Sequence, residues 1–549
     1  MSSKNNSKIS NEINRDKFKR KFENKWKDFS QFFIDHFTNS FKLLIAYIIF
    51  VILGAVLLYL PISLQNGHVK SDGGNYNFYD AIFISSSAFS NTGLTVTDVS
   101  QTFTVFGHVV LYIWIQLGGF GLLSAFYLVG KSLNKIFNKK ILSSSWISYA
   151  ERGGTKISTN GKVLFSIFLI NFVIQIVFSI AFSTIFYNVQ FFQVIPNTSG
   201  MWVESSVALP MYQNAGSSIW HAMFITGSAM NNAGFDLFGS TSLAPFRNDI
   251  GILVQFFTMV LFVLGGIGYV VIYDIWQKVE YFILKKFPEK FSSFFKLRPN
   301  MYENESPPIS IFSKICLWSS LVFGVLSIGM SFTSEYLLKS NVSILGSSHN
   351  TYFDNNALNS NWAIIYNTLS TRSAGFATID VGILNDITKW IFISLMFLGT
   401  SPTSTGGGIR TTTFVVLIKS ILSRISGRNE TTIFKKRISK TTTIDSTSIF
   451  SLSVITIMFL TILVGFLSIE NGALSSFDLT DLAFEASSAF GTTGLSTGLT
   501  SKIGYISYAP FIILMFSGQL GIMNSMQIFA NRHSKRELTK YSDIEIKLG

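Results

Sequence analysis

Four short phrases carry the candidate chemistry of this chain. They read "SSAFSNTGL" at 86–94, "GSAMNNAGF" at 227–235, "LSTRSAGF" at 369–376 and "SSAFGTTGL" at 487–495. The first and last share seven of nine positions. Each phrase ends in a glycine followed by Leu or Phe; the glycines are Gly93, Gly234, Gly375 and Gly494, spaced by 141, 141 and 119 residues. Such phrases offer carbonyl chemistry. A dehydrated cation needs oxygen ligands in place of its water, and rings of backbone carbonyls supply them. A loop that turns its carbonyls inward needs positive φ, which glycine adopts without steric cost. One such phrase would read as a place of close helix packing. Four at near-regular spacing read as internal repetition, with the loops meeting around one axis.

The elements that must position these loops are legible. Each glycine follows about 12–15 helix-compatible residues (79–94, 219–235, 362–376 and 479–495), too short to cross a bilayer and therefore re-entrant candidates. Non-helical backbone at membrane depth is tolerated only where protein buries it or water reaches it. The half-helices would aim their partly negative C-terminal ends at the axis, which favours a cation there. Around them lie long apolar runs. Residues 43–63, 99–130, 163–187, 250–273, 315–334, 446–469 and 503–531 hold no charge, and 390–418 holds only Arg410. The fold expected is an all-α polytopic membrane protein. Its eight transmembrane helices form four tandem helix–re-entrant loop–helix repeats around one pore. The repeats span 41–131, 160–278, 309–422 and 446–531, between cytoplasmic tails at 1–40 and 532–549.

Composition agrees. Of 549 residues, 48% are hydrophobic and 13% charged, with mean hydropathy +0.39, outside the range of ordinary soluble domains. The net charge of +13 is concentrated. Segments 1–42, 131–162, 278–308, 419–440 and 532–547 hold 35 of the 43 Lys and Arg, whereas 64–98 holds one and 188–218 none. This positive-inside pattern puts both termini in the cytoplasm, and it favours attraction to anionic lipid over nucleic acid. The tail stretch "FSQFFIDHF" (29–37) fits a surface-lying amphipathic helix, a disordered tail or a docking arm. The single cysteine, Cys316, excludes an intrachain disulfide. The six histidines are scattered, and His108 reads as a neutral packing residue. The absence of a GxxxxGK[ST] motif leaves the chain without a P-loop. Without a His cluster either, an enzyme is the most distant reading.

One second span is unusual. In "GTSPTSTGGGIRTTTF" (399–414), every residue from 399 to 408 is Ser, Thr, Gly or Pro, so no continuous helix should persist there. A span broken at mid-membrane marks an ion path or gate. Two shorter spans with a polar exterior loop are the alternative, against the parity of the basic loops. The other second spans contain "QLGGFGLL" (116–123), "LGGIGYVVIYDI" (264–275) and "SGQLGIMNSM" (517–526).

At these phrases the chain resembles the Trk/Ktr/HKT superfamily of potassium transporters, in particular its Ktr-type membrane subunit, over about residues 41–531. The resemblance rests on "NTGLTVTD" (91–98), "NNAGFDL" (231–237), "TRSAGFATID" (371–380), "FGTTGLSTGLT" (490–500) and "STGGGIRTTTF" (404–414). It implies potassium uptake at the plasma membrane, often sodium-dependent, with potassium and in some members sodium as the transported ion. It also implies a homodimer, gated by a cytosolic ring that binds the nucleotide. On the matching positions it implies an ion filter of Thr92, Gly93, Leu94, Asn232, Ala233, Gly234, Phe235, Ser373, Ala374, Gly375, Phe376, Thr493, Gly494 and Leu495, with potassium at the four glycines. A gating group follows from Thr400, Ser401, Ser404, Thr405, Gly406, Gly407, Gly408, Arg410 and Gln519. The all-glycine filter goes with potassium preference; relatives with Ser at the first position pass sodium more readily. A less selective sodium/potassium pathway of the same architecture is the alternative. Gln519 departs from the pattern, because the superfamily usually has Arg there, in a "GRxGP"-like stretch, as a positive barrier; Arg410 is the candidate compensation. Arg372 and Glu485 are expected to brace the filter by hydrogen bonds and a buried pair. Asp98, Asp236 and Asp380 follow the glycines and either concentrate cations at the mouth or are plainly solvated.

Overall fold

The structure is a computed structural model and describes residues 39–65, 74–119, 161–196, 202–239, 241–247, 250–286, 308–338, 357–382, 384–428, 430–469 and 478–529. The expected amphipathic stretch 29–37, the basic segment 131–160, the span beyond Gly119 and the tail 532–549 lie outside the described residues. The chain divides into two units. Met1–Tyr47 with Asn524–Gly549 contributes only 39–47 and 524–529 to the described residues, and Ile48–Met523 contains every candidate site residue.

In chain order the longer elements are α1 (Asn39–Tyr59), α2 (Phe78–Phe89), α3 (Val105–Gly119), α4 (Gly161–Asn188), strands β1 (Phe192–Pro196) and β2 (Trp202–Ala208), α5 (Ala215–Met230), α6 (Gly251–Ile267) and α7 (Tyr269–Lys286). They continue with α8 (Ile311–Leu338), α9 (Ala357–Ser370), α10 (Asp386–Phe397), α11 (Thr411–Ile425), β3 (Thr432–Ile433), β4 (Lys436–Arg437), α12 (Lys440–Ile469), α13 (Leu479–Gly491), α14 (Tyr508–Leu520) and α15 (Ile522–Met526). The fold is mostly helical rather than wholly so, because β1–β2 and β3–β4 form two antiparallel hairpins.

Among the described residues, three helices are long and apolar enough to cross a bilayer: Ser166–Asn188, Ile311–Leu337 and Lys440–Ser468. The α6–α7 pair passes the same test together but bends by 102° between Ile267 and Tyr269. Leu43–Tyr59, Val105–Gly119 and Tyr505–Leu520 are shorter apolar helices. The long helices expose aliphatic and aromatic side chains, such as Ile455 at 63%, Phe459 at 64% and Phe466 at 68% on α12. Stripes of this size belong against lipid rather than water.

Short helices α2, α5, α9 and α13 fill the interior. Their starts are written locally. Asn77 and Asp80 close a capping box on α2, Asp478 and Asp481 close one on α13, and the Asn214 side chain accepts from Ser217 N on α5. Each packs against a neighbouring second helix. Around α5, Phe186, Phe238 and Phe246 pack with ring centroids 4.7–5.7 Å apart, Phe186 stacked on Phe246 and Phe238 edge-on to both. Between α10 and α13, Lys389 Nζ lies 2.8 Å from Asp481 Oδ1, an ion pair with side chains 8% and 11% exposed.

Candidate ion-conducting site

The four short helices end in similar ways. Thr92 N donates to Ser87 O, Ala233 N to Ser228 O and Thr493 N to Ser488 O, all at 2.8 Å. This six-to-one bond is that of a Schellman turn, which needs one left-handed residue. That residue is Asn91 (φ 53°), Asn232 (φ 53°) and Thr492 (φ 44°), with Ser373 (φ 59°) at the matching place in the third loop. Two residues on, each glycine also has positive φ: Gly93 91°, Gly234 69°, Gly375 79° and Gly494 91°. The residues after the glycines, Leu94, Phe235, Phe376 and Leu495, are all buried and anchor the loops.

The four glycines form a closed ring. A Cβ on Gly93 would lie 2.6 Å from Ala233 O, and one on Gly234 would lie 3.0 Å from Ala374 O. One on Gly375 would meet Thr493 O and one on Gly494 would meet Thr92 O, closer still. Each glycine therefore faces the carbonyl that precedes the next glycine, and the order returns from Gly494 to Gly93. The carbonyls of 91–93, 232–234, 373–375 and 492–494 accept no hydrogen bond from any described residue. Buried carbonyls are normally paired, so these four triplets are free to ligate.

On one side the ring floors a cavity of about 170 Å³, lined also by Asp98, Asp236, Asp380 and Ser496. Asp98 accepts from Ser100 N and Asp380 from Gly382 N, both at 2.9 Å, and Asp236 accepts from Phe238 N at 3.1 Å. Burial pushes the Asp236 carboxyl up to about 7, and the nearby Asp98 adds to the rise against the hydrogen bonds from Phe238 and Ser242. Asp98 and Asp380 are also raised, chiefly by burial. Glu485 braces the loop after Gly494: it accepts from Ser496 Oγ at 2.6 Å, Thr497 N at 2.9 Å and Thr500 Oγ1 at 2.6 Å. The letters "GLSTG" at 494–498 imitate a hydrolase elbow. Ser496 here follows a helix and a glycine loop and bonds the Glu485 carboxylate, rather than sitting at a strand-to-helix turn beside a histidine among the described residues.

On the other side lies the interrupted segment between α10 and α11. Thr400 Oγ1 and Ser404 Oγ are 2.7 Å apart, and Ser404 Oγ donates to Ser401 O at 2.5 Å. Ser401 N donates to Gly266 O at 3.2 Å, and Gly408 N to Phe490 O at 3.1 Å. Gly406 packs on Ser373 and Gly407 on Thr492 so closely that an added Cβ would lie only 2.6 Å from either neighbour. Arg410 donates to Gly406 O, and to Gln519 O at 3.0 Å. The Gln519 side chain is fully buried; its Nε2 donates to Phe89 O at 3.0 Å, and its Oε1 has no partner among the described residues. The positive charge beside the loop is thus that of Arg410, held on the backbone of Gln519.

Arg372 and Glu485 do not pair with one another. Arg372 donates to Gly399 O at 3.1 Å and Ser320 O at 3.5 Å and lies 5.8 Å over the Phe323 ring, so it caps the end of α10. The buried pair in this region is Lys389–Asp481. The second span is bent too, at Gly268 (φ 102°), where Tyr269 N donates to Thr403 O at 3.2 Å. α14 ends likewise at Gly521 (φ 88°).

Sequence reasoning passed over Asn91 and Thr492, although both sit two residues before a glycine of the ring. Their signal was a residue able to accept a left-handed turn at one register in all four phrases, with Asn at two of them. It also passed over Gly118, Gly265 and Gly518, whose added Cβ atoms would meet Phe89 O, Met230 O and Phe490 O at the ends of α2, α5 and α13.

The profile of the TrkH family, described as a cation transport protein, matches residues 60–541. An uncharacterized cation transporter of Mycoplasma genitalium is 30% identical over 545 residues, covering 92% of this chain and 96% of the relative. The Ktr system potassium uptake protein D of Bacillus subtilis is 29% identical, covering 89% and 94%. The crystal structure of the potassium transporter TrkH from Vibrio parahaemolyticus superposes with TM-score 0.54 over 88% of this chain and 84% of that one; at 14% identity this is a likeness of fold. The matching family is one of cation transport proteins, and the chain carries the apolar helices of a membrane protein. The chain belongs to the TrkH family and is a membrane subunit of the Trk/Ktr superfamily.

Proposed function

We propose that this chain takes up potassium across the plasma membrane through a pore of four tandem helix–loop–helix repeats, spanning 41–131, 160–278, 309–422 and 446–531. The filter is the ring of Gly93, Gly234, Gly375 and Gly494 with the carbonyls beside them. The observation that carries this reading is the closed glycine ring whose adjacent carbonyls accept no hydrogen bond from the described chain. Such oxygens can replace the water of a monovalent cation at low cost. A relative named as a potassium uptake protein supports the choice of ion.

The segment 399–410 is the gate. It lies against the filter on the side away from the acidic cavity. Asp98, Asp236 and Asp380 concentrate cations at the outer mouth. Both termini are cytoplasmic, as the basic segments require. In keeping with the superfamily, the working form is a homodimer with a cytosolic nucleotide-binding ring, and sodium assists or accompanies potassium.

The test is ion uptake in potassium-uptake-deficient cells carrying the full chain, with Gly93→Ser alongside. Potassium-dependent rescue, and a fall in potassium over sodium preference of roughly ten-fold for Gly93→Ser, are expected. Sodium uptake of equal or greater preference, indifferent to Gly93, would overturn the filter assignment. Uptake only with an added cytosolic subunit would make the partner obligatory.

A further inference from the structure

The seams between successive filter loops are closed in two different ways. From the first loop to the second, Asn91 Nδ2 donates to Asn231 O at 2.7 Å. From the third to the fourth, Ser373 Oγ donates to Gly491 O at 2.8 Å. In register these are the same bond, from the left-handed residue two before one glycine to the carbonyl three before the next. The other two seams hold no such bond among the described residues. There the matching donors, Asn232 Nδ2 and Thr492 Oγ1, are buried with no hydrogen-bond partner among the described residues. Both residues meet the intramembrane segment, which also packs on the already bonded Ser373 through Gly406, and Asn232 packs on Gly265 of α6 as well. Thr405 Oγ1 donates to Asn232 Oδ1 at 3.0 Å, and a Cβ on Gly407 would lie 2.6 Å from both Cγ2 and Oγ1 of Thr492.

The geometry points to Asn232 and Thr492 as positioning residues through which the intramembrane segment sets the ion preference of the glycine ring. This rests on the filter reading above. Left-handed backbone costs a non-glycine residue about 1–2 kcal/mol, and it is least natural for a β-branched one such as Thr492. Asn91 and Ser373 are held in it by bonds to the adjacent loop. Asn232 and Thr492 have the segment instead: a hydroxyl on one and a glycine backbone against the other. Gly234 and Gly494 alternate with Gly93 and Gly375 around the ring, so the two dependent loops face each other across it. When the segment moves to admit ions, both loops lose their support together. The carbonyls of 232–234 and 492–494 then shift as an opposed pair. Preference therefore follows the state of the gate rather than being fixed.

Thr405→Val removes the donor and keeps the shape. In the full chain, potassium uptake measured against competing sodium should lose about five-fold of its preference, the size of one hydrogen bond. Thr405→Ser should restore the preference. Gly407→Ala should move preference in the same direction by pressing on Thr492. A changed rate with unchanged preference in both variants would overturn the proposal and leave the segment a gate alone. If Gly93→Ser also left preference untouched, the failure would lie in the filter reading. Should neither variant accumulate in the membrane, Thr492→Ser decides, since it keeps the hydroxyl and removes the methyl that Gly407 touches. Unchanged preference there overturns the proposal.

Discussion

The glycine ring and the helices behind it were built under different rules. The four loops are near copies: a buried helix, a left-handed residue, a positive-φ glycine and a buried apolar anchor recur in each. The second helices differ. α6 and α7 bend by 102° at Gly268, α10 breaks into the segment 399–410, and α14 stops at Gly521. At the matching position after the packing glycine stand Gly119, Gly266, Thr400 and Gln519. The difference teaches where symmetry is required. An ion without its water needs ligands on all sides, so the four loops must agree. A path can be closed from one side, so one divergent element suffices for a gate. Divergence also lets the segment 399–410 reach the second, third and fourth loops, at Asn232, Ser373 and Thr492.

The largest effect should come from breaking the likeness of the loops. Gly494→Ala places a methyl group on Thr92 O at φ 91°, where no side chain fits. Potassium uptake should fall at least roughly hundred-fold in transport assays while the protein still reaches the membrane, since the clash of a few kcal/mol is confined to the ring. Wild-type uptake would dissolve the ring as the site.

Next, the divergence below the ring can be reduced. Gln519→Arg sets a second guanidinium beside Arg410, which already rests on the Gln519 carbonyl. At an effective dielectric of about 20 and a separation of roughly 10 Å, an added charge raises the barrier for a cation by about 1.5 kcal/mol. Uptake should slow roughly ten-fold. Unchanged uptake would show that charge at this position does not face the path.

The smallest effect concerns the mouth, where the fourth loop places Ser496 rather than an acid in the cavity. Asp236, with its carboxyl near 7, is charged above that pH and takes up a proton as pH falls through it. Half-saturation for potassium should rise about three-fold as external pH drops from about 8 to about 6. Asp236→Asn should show the higher value at both pH values. A wild-type response that survives in Asp236→Asn would move the titration to Asp98 or Asp380.

Much of this was legible without coordinates. The spacing of Gly93, Gly234, Gly375 and Gly494 located the loops, because a conformation needed four times is written four times. The run from 399 to 408 announced its own break, because no helix tolerates ten residues of Ser, Thr, Gly and Pro. The bend at Gly268 was not legible. "LGGIG" within an apolar run reads equally as close packing, and the bend depends on Thr403 O, more than a hundred residues away, receiving Tyr269 N. The expected pairing of Arg372 with Glu485 failed for a related reason. Each found neutral partners from its own surroundings, and residue type gave their charge but not their neighbours.

The sequence by itself determined the class of protein, the four loops and their conformation, because these are properties of local pattern: apolar length, basic bias, helix ends and glycine. Only the tertiary structure decided that the ring closes from Gly494 to Gly93, that Arg410 rests on the Gln519 carbonyl, and that two seams are stitched while the matching residues of the other two meet the segment 399–410. Those are contacts between segments of about a hundred residues or more in separation, and no local pattern encodes which of several donors a carbonyl will meet.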